Sequence, residues 1–244
     1  MLVVADDLGS WPQKTDAIID ALDRDLVTAA GIMANFEDFE RACSLLEAKG
    51  LRSRVGAHLV LTDGTPLTEA MRRSRRFCDS DGRFVGEHAT WPLLHLDSHE
   101  RRLVKSELQA QIEAMRRNGL PVAHLDSHEH VHVQPAIARI VIALALELDV
   151  PRVRSAPNLR SHPTRRYQLY GRLLNRWISR RGLATTRYVG SVTDFLGLAP
   201  ERRPSSDVEL YLHPILVDGR LEDDDAAGEA LEQRLGRIYP APRG

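Results

Sequence analysis

Apolar and polar positions fall along the chain into two recurring patterns, short apolar runs and longer stretches with helical spacing. Residues 2–5 form a first apolar run, and Ala17, Ile18, Ala21 and Leu22 then share one face of a helix over 13–24. Residues 27–34 read as a buried, partly β-branched strand. Phe36, Phe39, Cys43 and Leu46 repeat at helical spacing up to a stop at Gly50. Residues 55–61 predict a strand that ends near the Thr-Asp-Gly turn at 62–64. An irregular excursion over 63–97 follows, interrupted by Pro66, Gly82, Gly86 and Pro92. A charged amphipathic helix is expected over 98–118, closed by Gly119, then a strand over 122–126. Pro135 opens an apolar helix through 148, and 151–154 reads as a strand. A basic amphipathic helix over 164–181, a strand over 208–213 and an acidic helix over 223–236 complete the series.

Strand followed by helix, repeated, implies an α/β fold with a mainly parallel sheet and right-handed crossovers, either a (β/α) barrel or an open doubly wound sheet. Both gather ligands at the carboxyl ends of the strands. Asp6, Asp7, His58, His128, Arg154 and His213 all stand within or just after predicted strands.

Composition narrows the class. The 244 residues are 43% hydrophobic and 27% charged with a formal net charge of −1, which suits a packed core and argues against a dedicated nucleic-acid binder. No apolar run approaches the roughly 20 residues needed to cross a bilayer. The chain enters its first strand without a basic-then-apolar leader, and two cysteines make no disulfide framework, so a cytoplasmic protein is expected. Residues 152–187 hold ten arginines and no Asp or Glu, with Tyr170, Leu173, Leu174, Trp177 and Ile178 on one apolar face. This segment reads as a helix docked on the sheet or as a surface for anionic groups, including a weak contact with a membrane or a lipid-linked substrate. The acidic run 222–225 could neutralise it internally. A homodimer is compatible with the sequence.

Histidine carries the chemistry. Of the 10 in the chain, four fall in the segment His124-Leu125-Asp126-Ser127-His128-Glu129-His130-Val131-His132. An extended backbone there would put His128, His130 and His132 on one side. Imidazole is a common metal ligand, and a carboxylate such as Asp126 is the usual partner that fixes its tautomer. The string His-Leu-Asp-Ser-His-Glu recurs at 95–100, but there it leads into an amphipathic helix. Asp97 or Ser98 then serves as a cap, Glu100 or Glu107 suits the early turns, and His95 and His99 are structural. Asp6-Asp7 reads as a turn or cap, or as a pair in which one carboxylate binds a metal and its neighbour, facing the other way, takes a proton from water. His58 completes an Asp-His-His set with Asp7 and His128 that leaves a position open for water. His213, before Pro214, is a turn residue or a general acid. No P-loop, dinucleotide fingerprint or Gly-x-Ser-x-Gly elbow is present.

Ala5-Asp6-Asp7-Leu8-Gly9, Val27-Thr28, the 56–62 segment Gly-Ala-His-Leu-Val-Leu-Thr and the 124–132 segment, taken in order, resemble the YdjC-like carbohydrate deacetylases, the family of the chitooligosaccharide deacetylases. The match covers roughly residues 1–155, and His213-Pro214 resembles the family's late His-Pro motif. Leu8 stands where the family usually has Phe, and Ile215 where it has Gly or Ala. The resemblance implies one YdjC-like domain over 1–244, with a variable Arg-rich segment at about 152–206. It implies a (β/α) barrel-like fold of the glycoside hydrolase/deacetylase type and removal of acetyl groups from small N-acetylated saccharides. It further implies a divalent metal held by Asp7, His58 and His128, with Asp6 as base and His213 as acid. Zinc or magnesium is favoured, and mixed nitrogen and oxygen ligation also admits manganese, cobalt and iron. Asp126 would orient His128 or another imidazole, and His130 joins it around the substrate. Arg154 binds a substrate oxygen or holds Asp6 ionised. Another metal-dependent hydrolase of phosphoesters or amides, or a non-catalytic sugar-binding protein, are the alternative readings.

Overall fold

The structure, a computed structural model, describes residues 1–86, 95–159 and 164–238. In chain order its elements are β1 (Leu2–Leu8), α1 (Pro12–Asp23), β2 (Ala29–Ile32), α2 (Phe39–Ala48), β3 (Val55–Leu59), α3 (Glu69–Arg72), α4 (Ser98–Arg117) and β4 (Leu125–Ser127). Then follow α5 (Pro135–Glu147), α6 (Arg165–Arg180), β5 (Tyr188–Ser191), α7 (Val192–Gly197), β6 (Val208–Leu212), β7 (Pro214–Val217), β8 (Arg220–Asp223), β9 (Ala226–Ala230) and α8 (Leu231–Gly236). No helix among the described residues is long and apolar enough to cross a membrane.

Six strands pair in the order β4-β3-β2-β1-β6-β5, every pair parallel. The sheet curls like a barrel. Residues 152–159 connect its two edges: Val153 bridges Leu125 of β4, Arg152 bridges Ala184, and the amides of Asn158 and Leu159 donate to the carbonyl of Val189 in β5. Strands covered on both faces must be apolar throughout, which accounts for Val3, Val4, Ala5, Ala30, Ile32, Val55, Ala57 and Leu210 all being buried. Helix packing supplies the outer layer. In α1 the predicted stripe of Ala17, Ile18, Ala21 and Leu22 is buried, and α4 begins on a capping box in which Asp97 accepts from His99 and Glu100 while Glu100 closes back on Asp97.

Register positions the chemistry. Ala5 stands beside Leu212, so the carboxyl ends of β1 and β6 deliver Asp6, Asp7 and His213 to one rim. His58 of β3 lies level with Asp126 of β4.

The helix expected over 223–236 is instead β8, a turn, β9 and the short α8. A helix through Glu222-Asp223-Asp224-Asp225 would set like charges at adjacent turns. As a strand end, each acid meets its own partner: Glu222 with Arg220, Asp223 with Arg234, Asp224 near Lys14 and Asp225 with His213. The run therefore does not neutralise α6. Asp218 and Gly219, at φ 49° and 77°, make the tight hairpin turn between β7 and β8. The apolar face of α6 is also narrower than expected. Gly171, Leu174 and Ile178 are buried, but Leu173 is 60% exposed.

Candidate functional site

β1 ends in a bulge. Its register against β2 shifts between Ala5 and Leu8, and Asp7 takes a left-handed φ of 72°. Such backbone costs on the order of 1–3 kcal/mol for a non-glycine residue. It is held by Ser10, whose amide and hydroxyl both donate to the Asp7 carbonyl. Regular alternation would send Asp6 and Asp7 to opposite faces. The bulge overturns that expectation, because both carboxylates approach the His58 ring. Asp6 Oδ1 lies 3.9 Å from Nδ1, and Asp7 Oδ1 lies 3.3 Å from Nε2.

Asp7, His58 and His128 converge. Asp7 Oδ1 is also 3.1 Å from His128 Nδ1, while Asp7 Oδ2 accepts from Lys14 Nζ at 3.1 Å. His58 Nδ1 meets Asp126 Oδ1 at 2.8 Å, so Asp126 orients His58 rather than His128. With the Nδ1 proton donated to Asp126, neutral His58 turns its Nε2 lone pair toward Asp7. Two such acceptors face one another only across a proton or a cation. Without a metal the pair calls up a proton: burial pushes His58 down, but the charges of Asp126 and Asp6 outweigh it and raise the ring to about 10. A divalent cation fits equally well. Ligand atoms about 2.1 Å from a shared ion lie roughly 3.0–3.4 Å apart, matching the spacings at Asp7. These three residues are one of the groups able to hold an ion; Asp6, His58 and Asp126 are another, but Arg154 already occupies two of their carboxylates.

Arg154 is fully buried, and all three of its guanidinium nitrogens meet carboxylates. Nη1 and Nη2 donate to Asp6 at 2.6 and 2.8 Å, Nη2 lies 2.6 Å from Asp126 Oδ2, and Nε donates to Glu209 at 2.6 Å. Of the two roles expected for Arg154, these contacts display the one that holds Asp6. Glu209 also takes Arg152 and the hydroxyl of Thr186. Burial alone would raise Asp126 and Glu209, yet the Arg154 charge, with His58 at Asp126 and Arg152 at Glu209, holds both below their ordinary range.

The rim is formed by His213 and the 128–133 turn. The His213 amide donates to Asp223, its Nδ1 stands 3.5 Å from Asp225 Oδ2, and Arg234 braces Asp223. Burial pushes His213 down, but the Asp225 hydrogen bond and the Asp7 and Asp6 charges leave it raised. The segment expected to be extended is a tight turn, with Glu129 and His130 at φ 51° and 55°. The three histidines consequently diverge. His128 goes to Asp7, His130 packs edge-on against Tyr211 at 4.8 Å, and His132 Nδ1 meets Ser127 Oγ at 2.6 Å. Burial and the charge of Arg154 lower His132 to about 4. His95 and His99 stay at the start of α4, away from the cluster.

A profile of the YdjC-like protein family matches residues 1–237. The chain belongs to the YdjC-like family. It is 37% identical over 151 residues to a carbohydrate deacetylase of Brevibacillus brevis, covering 62% of this chain and 57% of that one. To a chitooligosaccharide deacetylase of Yersinia pestis it is 34% identical over 152 residues, again 62% and 57%. The chain thus spans less than two thirds of the length of the curated relatives it matches. A crystal structure of an Enterococcus faecalis protein, provisionally named for cellobiose-phosphate cleavage, superposes with a TM-score of 0.66 at 20% identity, covering 99% of this chain and 90% of that one. The two chains share a fold.

Two contributors to this YdjC-like site went unnoticed in the sequence. Glu209 interrupts an apolar strand, the signal of a buried charge with a partner. Lys14 sits on the buried face of α1 and is only 4% exposed. Gly31 and Gly56 make the room. A Cβ on Gly56 would stand 2.3 Å from the His124 ring, and one on Gly31 would stand 3.0 Å from His58 and 3.2 Å from Asp126.

Proposed function

We propose that the protein is a metal-dependent carbohydrate N-deacetylase that hydrolyses the acetamide of a small N-acetylated saccharide to acetate and a free amine. The observation that carries this reading is the meeting of Asp7 Oδ1 with His58 Nε2 and His128 Nδ1, beside Asp6 clamped by Arg154. The names of the relatives supply the substrate class. Asp7, His58 and His128 would hold one divalent cation. Such an ion supplies Lewis-acid polarisation of the acetyl carbonyl and acidifies water.

The chain's own groups account for the proton traffic. Asp6, fixed by two hydrogen bonds from Arg154, accepts the proton of the attacking water. Asp126 keeps His58 in the tautomer whose Nε2 faces Asp7. His213, carried in its protonated form by Asp225 and the nearby carboxylates, gives its proton to the departing sugar nitrogen. His130, against Tyr211, walls the substrate side. We read the chain as one domain whose Arg-rich stretch at 152–206 adjusts substrate choice.

Acetate release from N-acetylglucosamine oligomers, followed with and without a chelator, tests the proposal. Turnover that survives complete metal removal overturns the mechanism. Phosphoester hydrolysis without acetate release would transfer the site to another hydrolase class, and sugar binding without hydrolysis to a binding protein. Elemental analysis of the purified protein identifies the ion.

A further inference from the structure

Trp11 is 46% exposed, and no other aromatic side chain is exposed among the described residues. Neither of the usual local reasons accounts for it. It occupies the N-cap of α1 in extended conformation without any side-chain cap bond, a position where Ser, Thr, Asp or Asn would stabilise the helix. Nor is it a core residue. Its ring is anchored to the site, since the Lys14 ammonium lies 4.9 Å from the ring centroid and also bonds Asp7. The same ammonium stands 4.0 Å from Asp224, whose side chain is 58% exposed. A buried lysine thus ties an open aromatic ring and an open carboxylate to Asp7.

We infer that Trp11 and Asp224 form the sugar-binding rim of the site, with Trp11 stacking against the pyranose that bears the acetamide and Asp224 accepting that sugar's hydroxyls. Lys14 is the positioning residue for both. A pyranose presents a face of C–H groups that packs on an aromatic ring, while its hydroxyls need acceptors. An uncharged sugar also suits a rim whose open side chain at Asp224 is a carboxylate. Only one lysine side chain separates the ring from Asp7, so the stacked unit is the reacting sugar and not a distant one along an oligomer. This inference rests on the proposed deacetylation for the identity of the reacting group.

The test uses the full chain in two assays. In acetate release, Trp11→Ala should raise KM about tenfold for monosaccharide and oligomer alike with kcat within about twofold, and Trp11→Phe should keep most of the affinity. Unchanged KM in Trp11→Ala, while the wild type deacetylates, overturns the rim and leaves the proposed function standing. Tryptophan fluorescence during titration with N-acetylated chitobiose gives a readout independent of turnover. Quenching present in the Asp6→Asn protein and lost when Trp11→Phe is added supports the rim, even if no acetate is ever released and the proposed function falls. Quenching that persists without Trp11 overturns the rim.

Discussion

Replacing Arg154 with Met is the sharpest test of how the site is built. The side chain fits the space but removes the one cation that Asp6, Asp126 and Glu209 share, and all three are almost completely buried. Removing one partner of a buried ion pair costs about 3–5 kcal/mol, because the remaining charge is left without compensation. Native stability is on the order of 5–15 kcal/mol, so the variant should remain folded but be visibly weakened. For a chain of this size the loss corresponds to a fall in Tm of roughly 6–20 °C. The pH dependence carries the more specific prediction. In the wild type, Asp126 and Glu209 have folded-state pKa values below their unfolded ones, so their stabilisation is present above the unfolded value and is lost only as pH falls through the depressed one. Without Arg154, burial should outweigh the smaller contributions of His58 at Asp126 and Arg152 at Glu209, and the sign inverts. Each carboxyl then binds its proton more tightly folded than unfolded, and lowering the pH from 8 to 5 should narrow the gap between variant and wild type. Urea denaturation at several pH values, with chelator present throughout, measures this gap. Adding Glu209→Gln should recover part of the loss, since one buried carboxylate that has lost its Arg154 bond disappears. A gap below 1 kcal/mol, or one of constant size across that range, would refute the account of Arg154 as the shared counter-ion.

Three further outcomes are expected. Asp6→Asn should retain cation binding by calorimetry while acetate release drops roughly 10²–10⁴-fold, the range for a general base; loss of the cation instead would reassign Asp6 as a ligand. His213 has a raised pKa and acts protonated, so kcat should decline as pH rises through that value, and His213→Asn should remove this alkaline limb from the pH–rate profile. Gly56→Ala puts a methyl 2.3 Å from the His124 ring and should cost about 1–3 kcal/mol in thermal unfolding, relieved by a second change of His124→Ala.

Much of this arrangement was legible in the chain because it depends on strand ends. Apolar runs covered by helices leave few places for polar groups, and Asp7, His58 and His128 occupy three of them. The α1, α4 and α5 helices were equally plain, α1 from periodicity and the other two also from Asp97 and Pro135. Failures came where a local backbone feature overrides the period. The bulge at Asp7 and the left-handed pair Glu129-His130 are single-residue events, invisible to a two- or four-residue repeat, and they decide which way five side chains turn. The stretch 223–230 misled for a related reason. Its acids have helical spacing, but the hairpin set up by Asp218-Gly219 fixes it as strand. β5, four residues long, has no pattern of its own and is placed by the pairing of Tyr188 with Val208.

Charge balance explains why one guanidinium and one cation site belong together. Four carboxylates, Asp6, Asp7, Asp126 and Glu209, lie in the polar core, and among the described residues three fixed cations face them, Lys14, Arg152 and Arg154. The surplus negative charge falls at His58, which lies between Asp126 and Asp7, and in the metal-free protein the ring answers it with a proton. A divalent ion there would replace that deficit with a single positive excess, the sign the proposed hydrolysis requires where a carbonyl oxygen turns anionic. A lysine in place of Arg154 would keep the count but not the geometry, because an ammonium is a point charge, whereas the planar fork reaches carboxylates on β1, β4 and β6 at once. Arg154 itself belongs to the 152–159 segment that joins the two edges of the sheet. The contacts that join the two edges and those that fix Asp6 therefore come from one segment, Arg154 giving its amide to the Leu125 carbonyl of β4 and its fork to Asp6.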